Sequence, residues 1–336
     1  MSTLIRSACL SHFAQVAAQF HLPTEALLQA AGLSPSCLHE PDLRVPAASV
    51  GRLLEMAAVA SGDEAFGLRM AEHRRLSNLG PFGLLLREEA TLGDVLHSIV
   101  KHIRMHNEAM VVQLELSNGL AIVREEIVTE HASWLRQPTE LAMGVTHRML
   151  AGLLGPSWRP RWTCFEHRAP RDASVHRRVF GPHVEFGHSF TGLVCDAADL
   201  ALANPLADPL MAKYVRALMP KPSTLEPDFV QQVCQAIVLS MSNGDCQASD
   251  VARHLGCDKR TLARRLNKSG TTFLQLLNAC RLDMAQRLLT EGECSLAEIG
   301  VRVGFSAPSA FSRWYVHTQG ITPRQAQRHV QRVLPR

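Results

Sequence analysis

Apolar positions along the chain follow two rhythms, and the change between them divides it. Residues 22–70 predict helices, with Thr24 and Pro46 as start signals and Gly32 and Gly62 as stops. Two more helices are expected between Gly80 and His106. Pro81-Phe-Gly-Leu-Leu-Leu86 opens the first, and Thr91 leads Leu92, Val95, Leu96, Ile99, Val100 and Ile103 at helical spacing in the second. Alternation then takes over: residues 111–116 and 120–128 predict a β-hairpin around Asn118-Gly119. Residues 141–154 read as a helix, and 162–167 and 193–196 as further strands. The first region is therefore expected to be mixed α/β.

A second region reads as helices alone. Pro220, Pro222 and Pro227 break the pattern and predict a semi-rigid linker. Beyond them, residues 228–242 carry Phe229, Val230, Val233, Ile237 and Val238 at helical spacing. Short amphipathic pieces follow, with Gly256, Gly270, Gly292, Gly304 and Gly320 placed as helix stops. The expected organisation is a first domain over 1–218, a Pro-rich linker over 219–227 and an all-α domain over 228–336.

Length and charge sharpen this division. The chain has 336 residues, enough for two domains with buried cores. It has no run of about 18 apolar residues, and its N-terminal stretch lacks the pattern of a secretory signal. Its nine Cys include no Cys-x-x-Cys pair, which argues against a disulfide scaffold or a zinc finger and for a reducing cytoplasm. Residues 1–220 hold 20 Lys and Arg against 22 Asp and Glu, a net of −2. Residues 221–336 hold 15 against 9, a net of +6, so the basic end suits a polyanionic partner.

Within that basic end the chain repeats itself. Asp250-Val-Ala-Arg-His-Leu-Gly256 matches Glu298-Ile-Gly-Val-Arg-Val-Gly304 at an offset of 48, and Leu262-Ala-Arg264-Arg-Leu266 matches Phe311-Ser-Arg313-Trp-Tyr315 at 49. A short helix, a glycine-bearing turn and a second helix form the helix-turn-helix pattern. Leu262 and Leu266, like Phe311 and Tyr315, mark the inner side of each second helix. Lys259, Arg260, Arg264 and Arg265 mark the outer side of the first copy, and Ser309, Ser312 and Arg313 that of the second. Asp258 and Ser306 are expected N-caps. A helix over residues 272–291, with Phe273, Leu276, Leu277, Cys280, Met284, Leu288 and Leu289 on one stripe, joins the copies. At about 30 Å it nearly matches the ~34 Å of one DNA turn, so it could present both second helices to successive major grooves.

These residues resemble the DNA-binding domain of AraC/XylS-type transcription regulators. The likeness is strongest over Leu296-Ala-Glu-Ile-Gly-Val-Arg-Val-Gly-Phe-Ser-Ala-Pro-Ser-Ala-Phe-Ser-Arg313 and Gly320-Ile-Thr-Pro-Arg324. The resemblance implies a single subunit reading a bipartite site in double-stranded DNA, with base-reading arginines at Arg264 and Arg313. One departure is Trp314-Tyr315-Val316, where the family usually carries Ala-Phe-Lys or Ala-Phe-Arg; loss of that basic residue should weaken phosphate contact by the second copy. Residues 22–210 resemble the arabinose-binding-type effector domain of one AraC subgroup through Leu22-Pro-Thr-Glu-Ala-Leu-Leu28, Gly80-Pro-Phe-Gly-Leu-Leu-Leu86, Ala169-Pro-Arg-Asp172 and Phe180-Gly-Pro-His-Val-Glu-Phe186. That similarity implies a sensor or dimerisation domain and not arabinose in particular. It places an effector pocket around the helices of residues 84–106 and the sheet that follows.

The fold class expected is thus a mixed α/β N-terminal effector domain plus an all-α C-terminal domain with two helix-turn-helix motifs joined by a long helix. The function expected is a sequence-specific regulator, an activator acting beside RNA polymerase, controlled by a small-molecule effector and working as a homodimer in the cytoplasm. Candidate DNA contacts are Lys259, Arg260, Arg264, Arg265, Lys268, Ser309, Ser312 and Arg313. Arg suits a guanine edge because its planar fork donates to O6 and N7 together; Arg265 and Lys268 suit phosphate. No cofactor or metal is expected. His97, His102 and His106, and likewise His183 and His188, suggest metal ligands, but their surroundings offer no third ligand at a matching spacing. Cys257 beside Lys259 and Arg260 could be a reactive thiol but matches Phe305 in the second copy, which makes it a small core residue; Cys164 is expected to be buried. No nucleophile elbow, phosphate loop or dinucleotide fingerprint occurs. An enzyme localised by its basic domain is the rival, with His102, His106 or Cys164 as its only candidate chemistry.

Overall fold

The computed structural model describes residues 3–128, 135–155, 157–218, 229–241, 246–255, 257–291, 294–305 and 307–327. The expected linker 219–227 lies outside them, as do Ser306, Gly256 and Gly292. The chain divides into two compact units, a first running Met1–Glu130 and Trp134–Lys221 and a second that includes Pro222–Arg336.

The first unit opens with β1 (Leu4–Arg6), followed by α1 (Phe13–Gln19), α2 (Thr24–Ala31), β2 (Arg44–Pro46), α3 (Ala47–Ser61), α4 (Phe66–Glu72), α5 (Pro81–Arg87) and α6 (Leu92–His106). Gly32 and Gly62 end α2 and α3 with φ of +74° and +69°. The Thr91 hydroxyl caps α6 by accepting from Asp94 N–H at 3.1 Å. β1 and β2 pair antiparallel; helical periodicity alone does not predict β2, which is three residues long.

The larger sheet contains β3 (Met110–Ser117), β4 (Leu120–Ile127), β5 (Trp162–Phe165), β6 (Val184–Phe186) and β7 (Gly192–Asp196), in the order β3-β4-β7-β5-β6. β3 and β4 form the expected hairpin. Asn118 and Gly119 have φ of +51° and +76°, the two positive values that a two-residue turn matching strand twist requires. Between the strands lie α7 (Arg136–Leu154) and α8 (Ser174–Phe180), and α9 (Pro209–Leu218) ends the unit. α7 begins five residues before the expected 141, since its first turns are polar yet buried: Gln137 bonds Gly67 N–H and Glu64 O, at 2.8 and 2.7 Å. One continuous apolar core, including Phe13, Phe66, Phe165 and Phe180, fills this unit.

Among its described residues the second unit has helices alone: α10 (Phe229–Met241), α11 (Ala248–His254), α12 (Lys259–Lys268), α13 (Phe273–Glu291), α14 (Leu296–Arg302) and α15 (Pro308–Gln319). Its core is divided. Leu262, Leu266 and Leu277 belong to one apolar cluster with α10 and α11; Leu288, Leu289, Ile299, Phe311 and Tyr315 belong to another. The joining helix does not use one stripe against one core. Its first half packs in the first cluster, its second half in the other, and Met284 touches both.

Candidate nucleic-acid interface

The two helix pairs of the second unit share a backbone design. After α11, Cys257 N–H donates to Ala252 O at 2.9 Å; after α14, Phe305 N–H donates to Gly300 O at 2.8 Å. Both bonds close the same turn at equivalent positions, and Gly304 supplies the left-handed φ of +80° in the second. The pairing of the helices is also matched, with different side chains. Leu262 packs inward in the first, where Ala252 is the small buried partner on α11. Phe311 is the inward residue of the second, and a Cβ on Gly300 would stand 3.2 Å from Phe311 Cβ. The larger ring is accommodated by the smaller residue.

Each pair hands on to the next helix through a reciprocal cap. Thr272 N–H donates to Gln275 Oε1 at 2.8 Å and Gln275 N–H to Thr272 Oγ1 at 3.3 Å. Fifty residues on, Thr322 and Gln325 repeat both bonds at 2.9 and 3.2 Å. These are capping boxes, and the signal Gly-x-Thr-x-x-Gln was present at residues 270–275 and 320–325 to extend the repeat.

On α12 the N-cap is Asp258, whose carboxylate accepts from Thr261 N–H at 2.7 Å. That bond and the Thr261 hydroxyl hold the carboxyl below the usual range. Leu262 and Leu266 are buried, while Lys259, Arg260, Arg264 and Lys268 are exposed. The side chains of those four make no hydrogen bond or ion pair among the described residues. Arg265, expected at phosphate, is also exposed, and its guanidinium stacks over the Phe229 ring, 3.8 Å from the centroid, tying α12 to α10.

On α15 the N-cap position falls to Ala307, with Pro308 at the first helical turn, rather than to Ser306. Phe311 and Tyr315 are buried, Ser309 and Arg313 exposed, and Ser312 half-buried. Trp314, part of the departure noted above, donates from Nε1 to Asn278 Oδ1 of α13 at 3.0 Å and packs on Phe305. Sequence reasoning missed Arg281. It projects from α13 and donates to the carbonyls of Val303 and Gly304, both at 3.0 Å, while stacking 4.5 Å over Phe305. Charge alone could not distinguish this structural arginine from a contact residue.

Residues 22–204 match the family model described as the arabinose-binding domain of AraC transcription regulators, and residues 251–329 match a helix-turn-helix domain. The chain belongs to the AraC family of transcription regulators. It is 27% identical over 332 residues to the HTH-type transcriptional regulator VirS of Mycobacterium tuberculosis, covering 97% of this chain and 96% of that protein. It is 26% identical to the ornithine utilization regulator of Pseudomonas aeruginosa, with 91% of both chains covered. Among solved structures, the transcriptional regulator CdpR from Pseudomonas aeruginosa overlays 91% of this chain and 96% of its own, at a TM-score of 0.46 and 19% identity. The matched families and relatives are regulators and not enzymes. Among the described residues, no helix is long and apolar enough to cross a membrane.

The first unit of this AraC-family regulator buries polar chemistry of its own. Glu140, fully buried on α7, lies 3.1 Å from His176 Nε2, 3.4 Å from His167 Nε2 and 3.2 Å from Arg136 Nε. Phe165 and Phe186 wall the two imidazoles. Nearby elements leave groups without hydrogen-bond partners: Glu125 on β4, His147 on α7, Thr163 on β5, and Trp158 Nε1. Burial pushes the Glu125 carboxyl up to about 7, against a lowering influence from the Thr146 hydroxyl, which does not reach hydrogen-bond geometry. Burial, with Arg159 and Arg148, pushes His147 down to about 4.

His97 and His106, both on α6, have separate neighbours. His97 Nδ1 lies 2.6 Å from Gly93 O, and His106 Nδ1 lies 3.1 Å from Arg6 Nη1. Burial and the charges of Arg6, Arg74 and Arg44 push His106 down to about 3. The first unit's thiols do not suit redox chemistry: burial pushes Cys9 and Cys195 up to about 12, and burial with the Glu185 charge pushes Cys164 up to about 11. Cys257 packs half-buried against the first cluster of the second unit.

Proposed function

We propose that α11–α12 and α14–α15 are two helix-turn-helix motifs spaced by α13, and that α12 and α15 enter successive major grooves of one DNA site. The observation that carries this is the duplicated turn with an exposed arginine at the equivalent place of each second helix. Arg264 and Arg313 read base edges in this account. Lys259 and Arg260, near the start of α12, touch bases or phosphates, and Lys268 touches phosphate. Ser309 and Ser312 line the groove side of α15. Arg265 contributes charge beside the backbone while braced on Phe229. The 19 residues of α13 span about 28 Å at ~1.5 Å each, near the ~34 Å pitch of the duplex. Binding of the intact protein across its genome, with an Arg264→Ala/Arg313→Ala double variant as control, tests this. Discrete peaks lost in the variant support it; peaks indifferent to both arginines oppose it.

The first unit, in this reading, binds a small-molecule effector and pairs two subunits, and the effector shifts an equilibrium between arrangements of the two domains. The regulator works in the cytoplasm and activates by standing beside RNA polymerase. Support for a bound effector comes from the unpartnered buried groups of Glu125, His147, Thr163 and Trp158, because a buried polar group without a partner costs stability that a ligand can recover. A melting-temperature screen of polar metabolites measures this. A ligand at 100 times its Kd stabilises by about 2.7 kcal/mol, and the rise should shrink in Glu125→Gln. A screen without a hit, alongside a concentration-dependent dimer, would favour a unit that only dimerises.

A further inference from the structure

Sheet register sets a thiol and a carboxylate side by side at one edge of the first unit's larger sheet. β5 and β6 run parallel with Cys164 opposite Glu185. Adjacent residues in register share a face of the sheet, and Thr163 and Phe165, their alternates on β5, take the other face. Beyond β6 the chain reverses at Gly187, whose φ of +68° is a conformation other residues rarely adopt. His188 N–H then donates to Phe165 O at 2.9 Å, which pins the imidazole beside the pair.

One donor atom from each of Cys164, Glu185 and His188 lies within 4.8 Å of the other two. These groups are not satisfied by one another. His188 Nδ1 is buried and makes no hydrogen bond, and its Nε2 stands 3.9 Å from Glu185 Oε2, too far for one. Cys164 is buried, and its thiol has no hydrogen-bond partner among the described residues. An edge contact with Phe190, 4.5 Å between ring centroids, holds the imidazole instead.

We propose that Cys164, Glu185 and His188 bind a divalent transition metal of the zinc class, with three protein ligands and a fourth position taken by water or an exogenous donor. Thiolate, imidazole and carboxylate together form a zinc donor set, whereas magnesium and calcium take oxygen ligands. Ligand atoms around a tetrahedral zinc stand on the order of 3.5 Å apart. Loading therefore asks for a contraction from at most 4.8 Å, which is no more than about 1.3 Å. Glu185, 53% exposed, gives the ion a way in. Binding forms a metal–sulfur bond and breaks the thiol S–H; the proton leaves to solvent, and no electrons are transferred. The three residues belong to the first unit, and metal loading there does not depend on how the second unit reads DNA.

Titration of the full-length chain with Co²⁺ provides the test, since cobalt reports its ligands optically and Zn²⁺ then competes for the site. The expected result is one Co²⁺ per chain, with thiolate-to-cobalt charge-transfer absorption that Zn²⁺ abolishes. Cys164→Ser should remove that absorption, and Cys257→Ser should leave it intact. His188→Ala and Glu185→Gln should each weaken binding at least tenfold. Glu185→Gln changes an exposed side chain, so its outcome does not depend on how the core tolerates Cys164→Ser. Absence of stoichiometric Co²⁺ or Zn²⁺ would overturn the proposal. So would a charge-transfer band that survives Cys164→Ser, or an affinity unchanged in both Glu185→Gln and His188→Ala.

Discussion

The two helix pairs of the second unit are one backbone design filled in two ways. The first pair carries charge: five basic residues lie between Lys259 and Lys268, around a modest core of Leu262, Leu266 and Ala252. Packing dominates the second. Phe305, Phe311, Trp314 and Tyr315 form a connected aromatic group, Gly300 makes room for it, and Arg281 clamps the turn. A duplicated motif can thus keep its turn and its outward arginine while shifting its stability between charge-bearing and aromatic surfaces. The difference predicts that the first pair governs affinity for DNA and the second governs rigidity.

Large-to-small changes in the two cores should break the symmetry most. Phe311→Ala should cost about 3–5 kcal/mol and Leu262→Ala about 2–5, with the aromatic loss the larger because three neighbouring rings lose their contact. Denaturant unfolding of the second unit, residues 222–336, or of the whole chain measures both; a Leu262→Ala cost exceeding that of Phe311→Ala would contradict the assignment of packing to the second pair.

A smaller effect tests the exchange of bulk between inner residues. Gly300→Ala should cost about 1 kcal/mol, since overpacking costs ~1–3 while alanine recovers ~1 of helix propensity. Gly300→Ala with Phe311→Leu recreates the first pair's Ala252 and Leu262, and the two changes should be coupled by at least about 0.5 kcal/mol. Simple additivity would show that the 3.2 Å approach is not limiting.

The charge difference predicts the smallest change, read as a slope. Lys268→Ala should weaken binding to specific and random DNA alike and lower the salt dependence of log Kd by about 1. A loss confined to the specific site would move Lys268 from phosphate to base.

Legibility followed the range of the interactions. Gly32, Gly62, Thr91, Asn118-Gly119 and Asp258 act over a few residues, and each could be read from its neighbours. The repeat was legible because both its glycines and its inner residues recur at fixed offsets. What escaped was made by long-range contact. β1 and β2 are three residues each and exist by pairing across forty positions. Arg265 became a brace through Phe229, thirty-six residues earlier, and Arg281 became a clamp through Val303 and Gly304. Cys164, Glu185 and His188 meet through strand register, which no local spacing encodes. The Gly-x-Thr-x-x-Gln caps are local and readable, and lie just beyond the matched segments 250–266 and 298–315.

The central claim is that one subunit reads two half-sites, one through each arginine. Quantitative binding of Arg264→Ala and Arg313→Ala to a library of operator variants addresses it most directly. Each variant should lose ~1–3 kcal/mol and relax preference at one base, and the two positions should lie about one helical turn apart, ~10 base pairs. Equal losses on every sequence, or relaxation at the same position by both variants, would contradict the account.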